Sequence, residues 1–208
     1  MAYLGTQPND VKKNTGLYTP SEILQLTKDG SWGGSLELIA EQTISSSTAT
    51  MDFTSIQESR YDVHCLQISN FSATSGDQYL EIRLSNDGGS SYETSNYQYA
   101  FQYGGTGGAF GELNSTSASE FEMVVGNASS TGSGNGYVYF YNLGNSSKYS
   151  FATEHTFALN NSGLGYFHFG GNVYTVAETI NAIRLLPSGD NILSLNAKLY
   201  GVKQIWVT

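Results

Sequence analysis

The stretch Leu80-Glu81-Ile82-Arg83-Leu84 alternates apolar and charged residues without a break. Successive side chains of a β-strand point to opposite faces, so this pattern predicts a strand whose three apolar residues face a core. Turn-forming residues bound the stretch on both sides, Ser75-Gly76-Asp77 before it and Asn86-Asp87-Gly88-Gly89 after it. The segment is therefore predicted to be one complete strand between two turns.

The same period of two recurs from Leu36 to the end of the chain, with turns rich in Gly, Asn, Asp and Ser between the strands. We predict about ten strands, at 36–43, 48–55, 61–70, 80–84, 92–103, 120–126, 137–141, 149–158, 164–170, 180–187 and 193–207. Strands at this spacing, without a long helical pattern, predict an all-β fold, a β-sandwich of the jelly-roll type. The Gly- and Ser-rich segment 104–119 is predicted to be a long exposed loop.

The first 35 residues lack this alternation, and we predict a short N-terminal arm (1–35) followed by a β-sandwich body (36–208). Within the arm, Thr19-Pro20-Ser21-Glu22 has the residues of a helix start, which predicts one short helix over 20–28. The rest of the arm is predicted to be irregular. Its apolar residues are candidates for docking, either onto the body of the same chain or onto a partner, namely Tyr3, Leu4, Leu17, Tyr18, Ile23 and Leu24.

The composition excludes several classes of protein. The formal charge of −9, with only 13% charged residues, argues against binding nucleic acid or an anionic membrane through net charge. Cys65 is the only cysteine, so no disulfide can form within the chain. There is no transmembrane run and no recognisable signal peptide, so the chain is expected to fold in the cytosol where it is made.

One segment, Ser85 to Tyr92, matches a known local pattern, the Asp-box of sialidases. Those enzymes carry several copies on a propeller, whereas this chain has one copy and is too short for six four-stranded blades. We therefore predict a structural hairpin in which Ser85, Asp87 and Gly89 shape the turn.

Other reactive side chains give no catalytic or metal site. We predict Cys65 to be a small buried apolar residue, because His64 lies on the opposite face of its strand. His168 is predicted to face Ser, Thr or solvent. The carboxylates of Glu120 and Glu122 would lie about 7 Å apart on one strand face, near a glycosidase separation, but an ordinary solvated face is favoured. No enzyme activity, cofactor or metal is expected.

Two rows of tyrosines are candidates for contact with a glycan or a partner. Tyr137, Tyr139 and Tyr141 line one face of a predicted strand, and Tyr97, Tyr99 and Tyr103 line another. An aromatic ring can stack on the C–H face of a pyranose. Packing against another subunit, or simple strand propensity, is somewhat favoured as the explanation of the rows, and the sequence does not separate these alternatives.

Four segments, taken in order, resemble tailed-phage tail-fibre and related virion structural proteins, many from marine phages. They read Tyr61-Asp62-Val63-x-x-Leu66-x-Ile68-x-Asn70, Leu80-x-Ile82-Arg83-Leu84-Ser85-x-Asp87-Gly88-Gly89-Ser90-x-Tyr92, Ala182-Ile183-Arg184-Leu185-Leu186 and Ala197-Lys198-Leu199-Tyr200-Gly201-Val202-Lys203. The resemblance covers about residues 60–203.

This resemblance implies a structural protein of the virion, assembled in the host cytoplasm, and supplies no catalytic residue. It implies self-association, often as a homotrimer, contact with other virion proteins through the arm, and in some members binding to host-surface glycan. A tail appendage or fibre component is the function we expect. Two alternatives stay open, a decoration protein of the capsid (a head fibre or cement protein) and a carbohydrate-binding module.

Overall fold

A computed structural model describes residues 19–28, 35–128 and 132–203. These residues form one helix, α1 (Pro20–Lys28), and twelve β-strands. The strands are β1 (Leu36–Ile44), β2 (Met51–Phe53), β3 (Val63–Ala73), β4 (Gln78–Ser85), β5 (Tyr97–Gly105), β6 (Phe110–Ala118), β7 (Phe121–Ala128), β8 (Gly134–Tyr141), β9 (Ser150–Leu159), β10 (Gly165–Tyr174), β11 (Ala182–Pro187) and β12 (Ile192–Val202). The all-β prediction is confirmed, and every predicted strand overlaps an observed one.

The strands form two antiparallel sheets with a jelly-roll order. The large sheet runs β1-β12-β3-β8-β9-β10-β5-β6 and the small sheet runs β2-β11-β4-β7. If β5, β6, β9 and β10 are set aside, the other eight strands form two four-stranded sets, β1-β12-β3-β8 and β2-β11-β4-β7. This is the double Greek key of a jelly roll, so the predicted architecture is confirmed.

Two hairpins extend the large sheet beyond the jelly roll. The first, β5–β6, interrupts the chain between β4 and β7, and the second, β9–β10, interrupts it between β8 and β11. The hairpins pair with each other, with Tyr174 opposite Tyr97 and His168 opposite Tyr103. They enlarge one layer of the sandwich and leave the other at four strands.

The predicted loop at 104–119 is wrong, because this segment contains the end of β5 and the whole of β6. β6 pairs with β5 from Phe110 opposite Gly104 to Ala118 opposite Tyr97. It is an edge strand with no fully buried side chain, and backbone hydrogen bonds to β5 hold it in place. An edge strand needs no apolar alternation, so a Ser- and Gly-rich composition does not reveal it.

The core lies between the inner faces of the two sheets. Leu80, Ile82 and Leu84 of β4 are completely buried there, as their alternation predicts. Aromatic rings join the two layers, and the Tyr97 ring meets the Phe121 ring edge to face at 5.3 Å between centroids. Burial of such large side chains is the main stabilising contribution in a sandwich of this kind.

The inner face of β9 and β10 is polar where it packs beneath β7. Glu154 is buried and accepts a hydrogen bond from the Asn172 side-chain amide at 2.9 Å. Asn172 in turn accepts a hydrogen bond from the Glu122 backbone N–H at 3.1 Å. Burial raises the pKa of Glu154 to about 7, so this carboxyl group titrates near neutral pH.

His168 lies in the same polar region. It is opposite the buried Thr156 in the β9–β10 pairing, so it faces a threonine, which is one of the predicted options, and it does not face solvent. Its ring is 1% exposed and packs against Phe101 and Tyr103, with 6.0 Å between ring centroids in both cases. Neither ring nitrogen has a hydrogen-bond partner among the described residues. Burial lowers the pKa of His168 to about 4, so the ring is neutral in the folded chain.

The Ser85–Tyr92 segment forms a tight turn but does not form the predicted hairpin. β4 before it belongs to the small sheet, whereas the next strand, β5, belongs to the large sheet. The turn residues act as predicted: Asp87 accepts hydrogen bonds from the Ser85 hydroxyl at 2.8 Å and from the Ser91 N–H at 2.9 Å. Gly89 has a φ of 89°, which glycine adopts without strain.

Helix α1 begins as the sequence predicts. The Glu22 carboxylate accepts hydrogen bonds from the N–H and the hydroxyl of Thr19, both at 2.7 Å, and the Thr19 hydroxyl accepts one from the Glu22 N–H at 3.3 Å. This reciprocal arrangement is a capping box. The chain divides into two compact units, residues 1–34 and 35–208.

Candidate functional site

The outer face of the large sheet carries the first predicted row of tyrosines. Tyr137, Tyr139 and Tyr141 alternate along β8 with the buried Val138 and Phe140, so all three point away from the core. Tyr137 is 43% exposed, and its ring meets the Tyr139 ring edge to face at 5.6 Å. This row is therefore accessible for contact with a glycan or a partner.

A groove runs beside this row of tyrosines. Tyr200 of β12 lies opposite Cys65 of β3, which lies opposite Tyr139 of β8. Tyr137 and Tyr139 line one side of the groove and Tyr200 the other, and Cys65 and Gln67 are also among its lining residues; the groove volume is about 630 Å³. Two strand spacings, about 10 Å, separate the backbones of β8 and β12.

The second predicted row of tyrosines is not on this face. Tyr97 is completely buried, and its hydroxyl accepts a hydrogen bond from the Leu84 N–H at 2.9 Å. Tyr99 stacks on Phe101, and Tyr103 packs against His168, on the same inner side of β5. The contact role predicted for Tyr97 is wrong because its side of β5 forms part of the core.

Aromatic residues of β9 and β10, which the sequence pattern did not single out, share the outer face. Phe151 and Phe157 of β9 are 42% and 48% exposed, and Phe169 of β10 is 46% exposed. The Phe167 ring stacks on that of Phe169 at 6.0 Å between centroids. These rings lie next to the row of tyrosines, since Tyr141 is opposite Phe151 in the β8–β9 pairing.

β9 shows the reverse of the usual strand pattern. Its inward residues are small or polar, whereas its outward residues include two phenylalanines and Leu159. The inward positions are Ser150, Ala152, Glu154, Thr156 and Ala158. A one-residue shift of register would reverse this arrangement, so the outward phenylalanines are a fixed property of this sequence in this fold.

The exposed apolar surface of this face is large. Tyr137, Tyr149, Phe151, Phe157 and Phe169 are between 42% and 48% exposed, and Phe110 at the end of β6 is 76% exposed. With about 200 Å² for each aromatic side chain, these six rings expose on the order of 600 Å². That is at the upper end of the largest apolar patch on a typical soluble monomer.

The structure describes little of the predicted docking residues of the arm. Tyr3, Leu4, Leu17 and Tyr18 lie outside the described residues. Ile23 lies in α1, but its side chain is likewise outside the description. Leu24 is 56% exposed on α1. The docking role of the arm stays a prediction.

The carboxylate pair predicted on a solvated face has a more specific environment. Glu120 forms a salt bridge with Arg83 at 2.9 Å and accepts a hydrogen bond from the Ser119 hydroxyl at 2.6 Å. Glu122 is half-buried, and Glu81 of the neighbouring strand lies beside both. The sequence did not identify Glu81, because its place in β4 reads as an ordinary outward position.

No family model, no curated protein and no solved structure matches this chain. Within residues 19–28, 35–128 and 132–203, no helix is long and apolar enough to cross a membrane. The exposed aromatic rings make the outer face of the large sheet the candidate functional site.

Proposed function

We propose that this chain is a structural protein of a tailed-phage virion, a tail appendage or fibre component that assembles with copies of itself through the outer face of the large sheet. The observation that carries this proposal is the reversed pattern of β9, which turns Phe151 and Phe157 outward. Apolar rings gain free energy when they leave water, so a strand with this pattern is stabilised when a second surface covers it.

The amount of apolar surface fits such an interface. A standard interface buries about 800 Å² on each partner, and 56–65% of it, roughly 500 Å², is apolar. With about 200 Å² for each aromatic side chain, the six exposed rings of the outer face supply on the order of 600 Å² of apolar surface. Aromatic residues are also the class most enriched at the centre of interfaces.

The resemblance to tail-fibre proteins supports the virion setting and a homotrimer, with the arm contacting other virion proteins. The role requires no reaction and no cofactor. Immunogold labelling of intact particles with antibodies against the chain tests the setting. Label on the tail supports an appendage, label on the head supports the alternative of capsid decoration, and unlabelled particles that lack the chain contradict the proposal.

Sedimentation velocity of the full chain tests the assembly surface. Phe157→Ser combined with Phe169→Ser is expected to convert a trimer into monomers while the circular dichroism spectrum is unchanged. Leu193→Ser is the matched control, because Leu193 is 38% exposed on β12, four strands away from β10. A double variant that sediments like the wild type shows that this face is not the interface.

Carbohydrate binding is a second candidate, favoured by the groove between Tyr139 and Tyr200. Tyrosine rings that line one groove can hold a pyranose by stacking on its C–H faces. Binding to host-surface glycans, measured on a glycan array, is expected to fall at least tenfold in Tyr139→Ala and in Tyr200→Ala. Tyr149→Ala is the control, because this exposed tyrosine is not among the groove residues. Equal binding by all four proteins refutes the idea.

A further inference from the structure

The pairing of β4 with β7 is interrupted opposite Glu81. Leu80 pairs with Val125 and Ile82 with Phe121, and the register shifts between these two pairs. Between them β4 has one residue, Glu81, whereas β7 has three, 122–124. Extra residues of this kind form a bulge, which changes the direction of nearby side chains and interrupts the ladder of hydrogen bonds.

Three carboxylates converge at this bulge. Oxygen atoms of Glu81, Glu120 and Glu122 all lie within 4.8 Å of one another. Arg83 neutralises one of them, since its Nε and Nη2 donate to the Glu120 carboxylate at 3.2 and 2.9 Å. If all three carboxyl groups are ionised, the group keeps a net charge of −2.

The environment of Glu81 also points to a ligand. It comes from the neighbouring strand, is only 7% exposed, and aims its carboxyl group at the pair on the β7 side. Among the described residues its side chain has no hydrogen-bond donor, whereas Glu120 has both Arg83 and Ser119. A buried carboxylate without a donor is costly unless a cation or a proton balances it.

The surroundings of Glu122 show how closely the group is enclosed. Burial raises the pKa of Glu122, and the charge of Glu120 adds to this effect. Burial also raises the pKa of Glu81 to about 8, with further contributions from the charges of Glu122 and Glu120. Burial and the charge of Glu122 also raise the pKa of Tyr99. These shifts agree with a crowded acidic site in which Arg83 balances one of the three carboxylates.

We propose that Glu81, Glu120 and Glu122 bind one divalent cation of the calcium class and that this ion joins β7 to β4 across the bulge. The ligand atoms are all oxygens, which suit Ca²⁺ or Mg²⁺, whereas zinc sites favour nitrogen and sulfur. Oxygens bound to Ca²⁺ at about 2.4 Å are at most about 4.8 Å apart, which fits the group. Calcium is preferred over magnesium because it tolerates irregular geometry.

Thermal unfolding of the full chain, followed by circular dichroism at pH 8, tests the site. The protein is first freed of metal with a chelator and then titrated with CaCl₂ and, separately, with MgCl₂. An ion at 100 times its Kd is expected to raise the midpoint by about 5 °C or more. An unchanged midpoint in 5 mM CaCl₂ overturns the proposal and leaves a proton shared between Glu81 and Glu122 as the balancing charge.

Two variants and one control make the result specific. Glu81→Gln and Glu122→Gln are expected to abolish the calcium shift. Without metal, Glu81→Gln is expected to unfold at or above the midpoint temperature of the wild type, because the substitution removes an unbalanced buried charge. Loss of fold therefore does not obscure the test. Glu112→Gln, on an exposed carboxylate of β6, is expected to keep the full shift. Calcium shifts of equal size in all variants would mean nonspecific screening and would refute the site.

Discussion

His168 gives the sharpest test of how burial controls stability in this fold. Its ring is 1% exposed, and neither nitrogen has a partner among the described residues. Burial lowers its pKa from 6.5 to about 4. Because the folded pKa lies below the unfolded pKa, this group's stabilising contribution is complete above pH 6.5 and is lost as the pH falls through 4.

The expected size follows from the two pKa values. A difference of 2.5 pKa units, at 1.36 kcal/mol per unit, corresponds to about 3 kcal/mol of unfolding free energy. His168→Leu removes the titrating group and two unpartnered nitrogens, so at pH 7 it is expected to be at least as stable as the wild type. Between pH 7 and pH 4 its advantage over the wild type is expected to grow by about 3 kcal/mol.

Urea unfolding followed by far-UV circular dichroism at pH 7, 5.5 and 4 measures this difference. The protein concentration must be the same throughout, since self-association would shift the apparent stability. His168→Gln is the matched control, because it removes the titrating group but keeps a polar group in the core. It should show the same pH dependence as His168→Leu, with a lower stability at every pH. A gap between wild type and His168→Leu that stays constant with pH would refute the reasoning.

Three further predictions concern buried charge and the turn after β4. Glu154→Gln is expected to be more stable than the wild type by up to about 3 kcal/mol at pH 8.5 and equal to it near pH 4.5. The reason is that the folded pKa of Glu154, about 7, lies above its unfolded value of 4.5. Urea unfolding at both pH values measures the difference. Gly88→Ala and Gly89→Ala both place alanine at a positive φ, at a cost of about 1–2 kcal/mol. Only the Cβ at Gly89 would also meet side-chain atoms, at 2.8 and 3.0 Å, so its thermal midpoint is expected to be the lower of the two. Asp87→Asn is expected to lower the urea midpoint at pH 7; the gap should close towards pH 2, because the Ser91 and Ser85 hydrogen bonds lower the Asp87 pKa to about 2.

The elements that the sequence predicts well are those that local chemistry determines. The alternation at Leu80–Leu84 and the capping residues of α1 depend on neighbours within a few positions, and both appear as expected. The all-β sandwich class also follows from strand spacing and turn composition. In contrast, β6 depends on pairing with β5, which composition alone does not reveal.

The candidate site was harder to predict, because period-two alternation shows which residues share a face but not which face is covered. Tyr97 and Tyr137 belong to similar rows, yet one row faces the core and the other faces outward. Phe157 was missed for the same reason, since alternation does not show that the phenylalanines of β9 lie on its uncovered face. The convergence on Glu81 depends on a bulge in β7, which no local pattern in the sequence marks.

The pairing of β1 with β12 determines how the sandwich can be connected to other chains. Leu36 lies opposite Val202, and the Lys203 N–H donates a hydrogen bond to the Ser35 carbonyl at 2.7 Å, so the chain enters and leaves the body side by side. A domain with adjacent ends can be inserted into a surface loop of another protein without stretching either junction. The body is therefore suited to circular permutation with a short linker and to insertion into a surface loop of another protein.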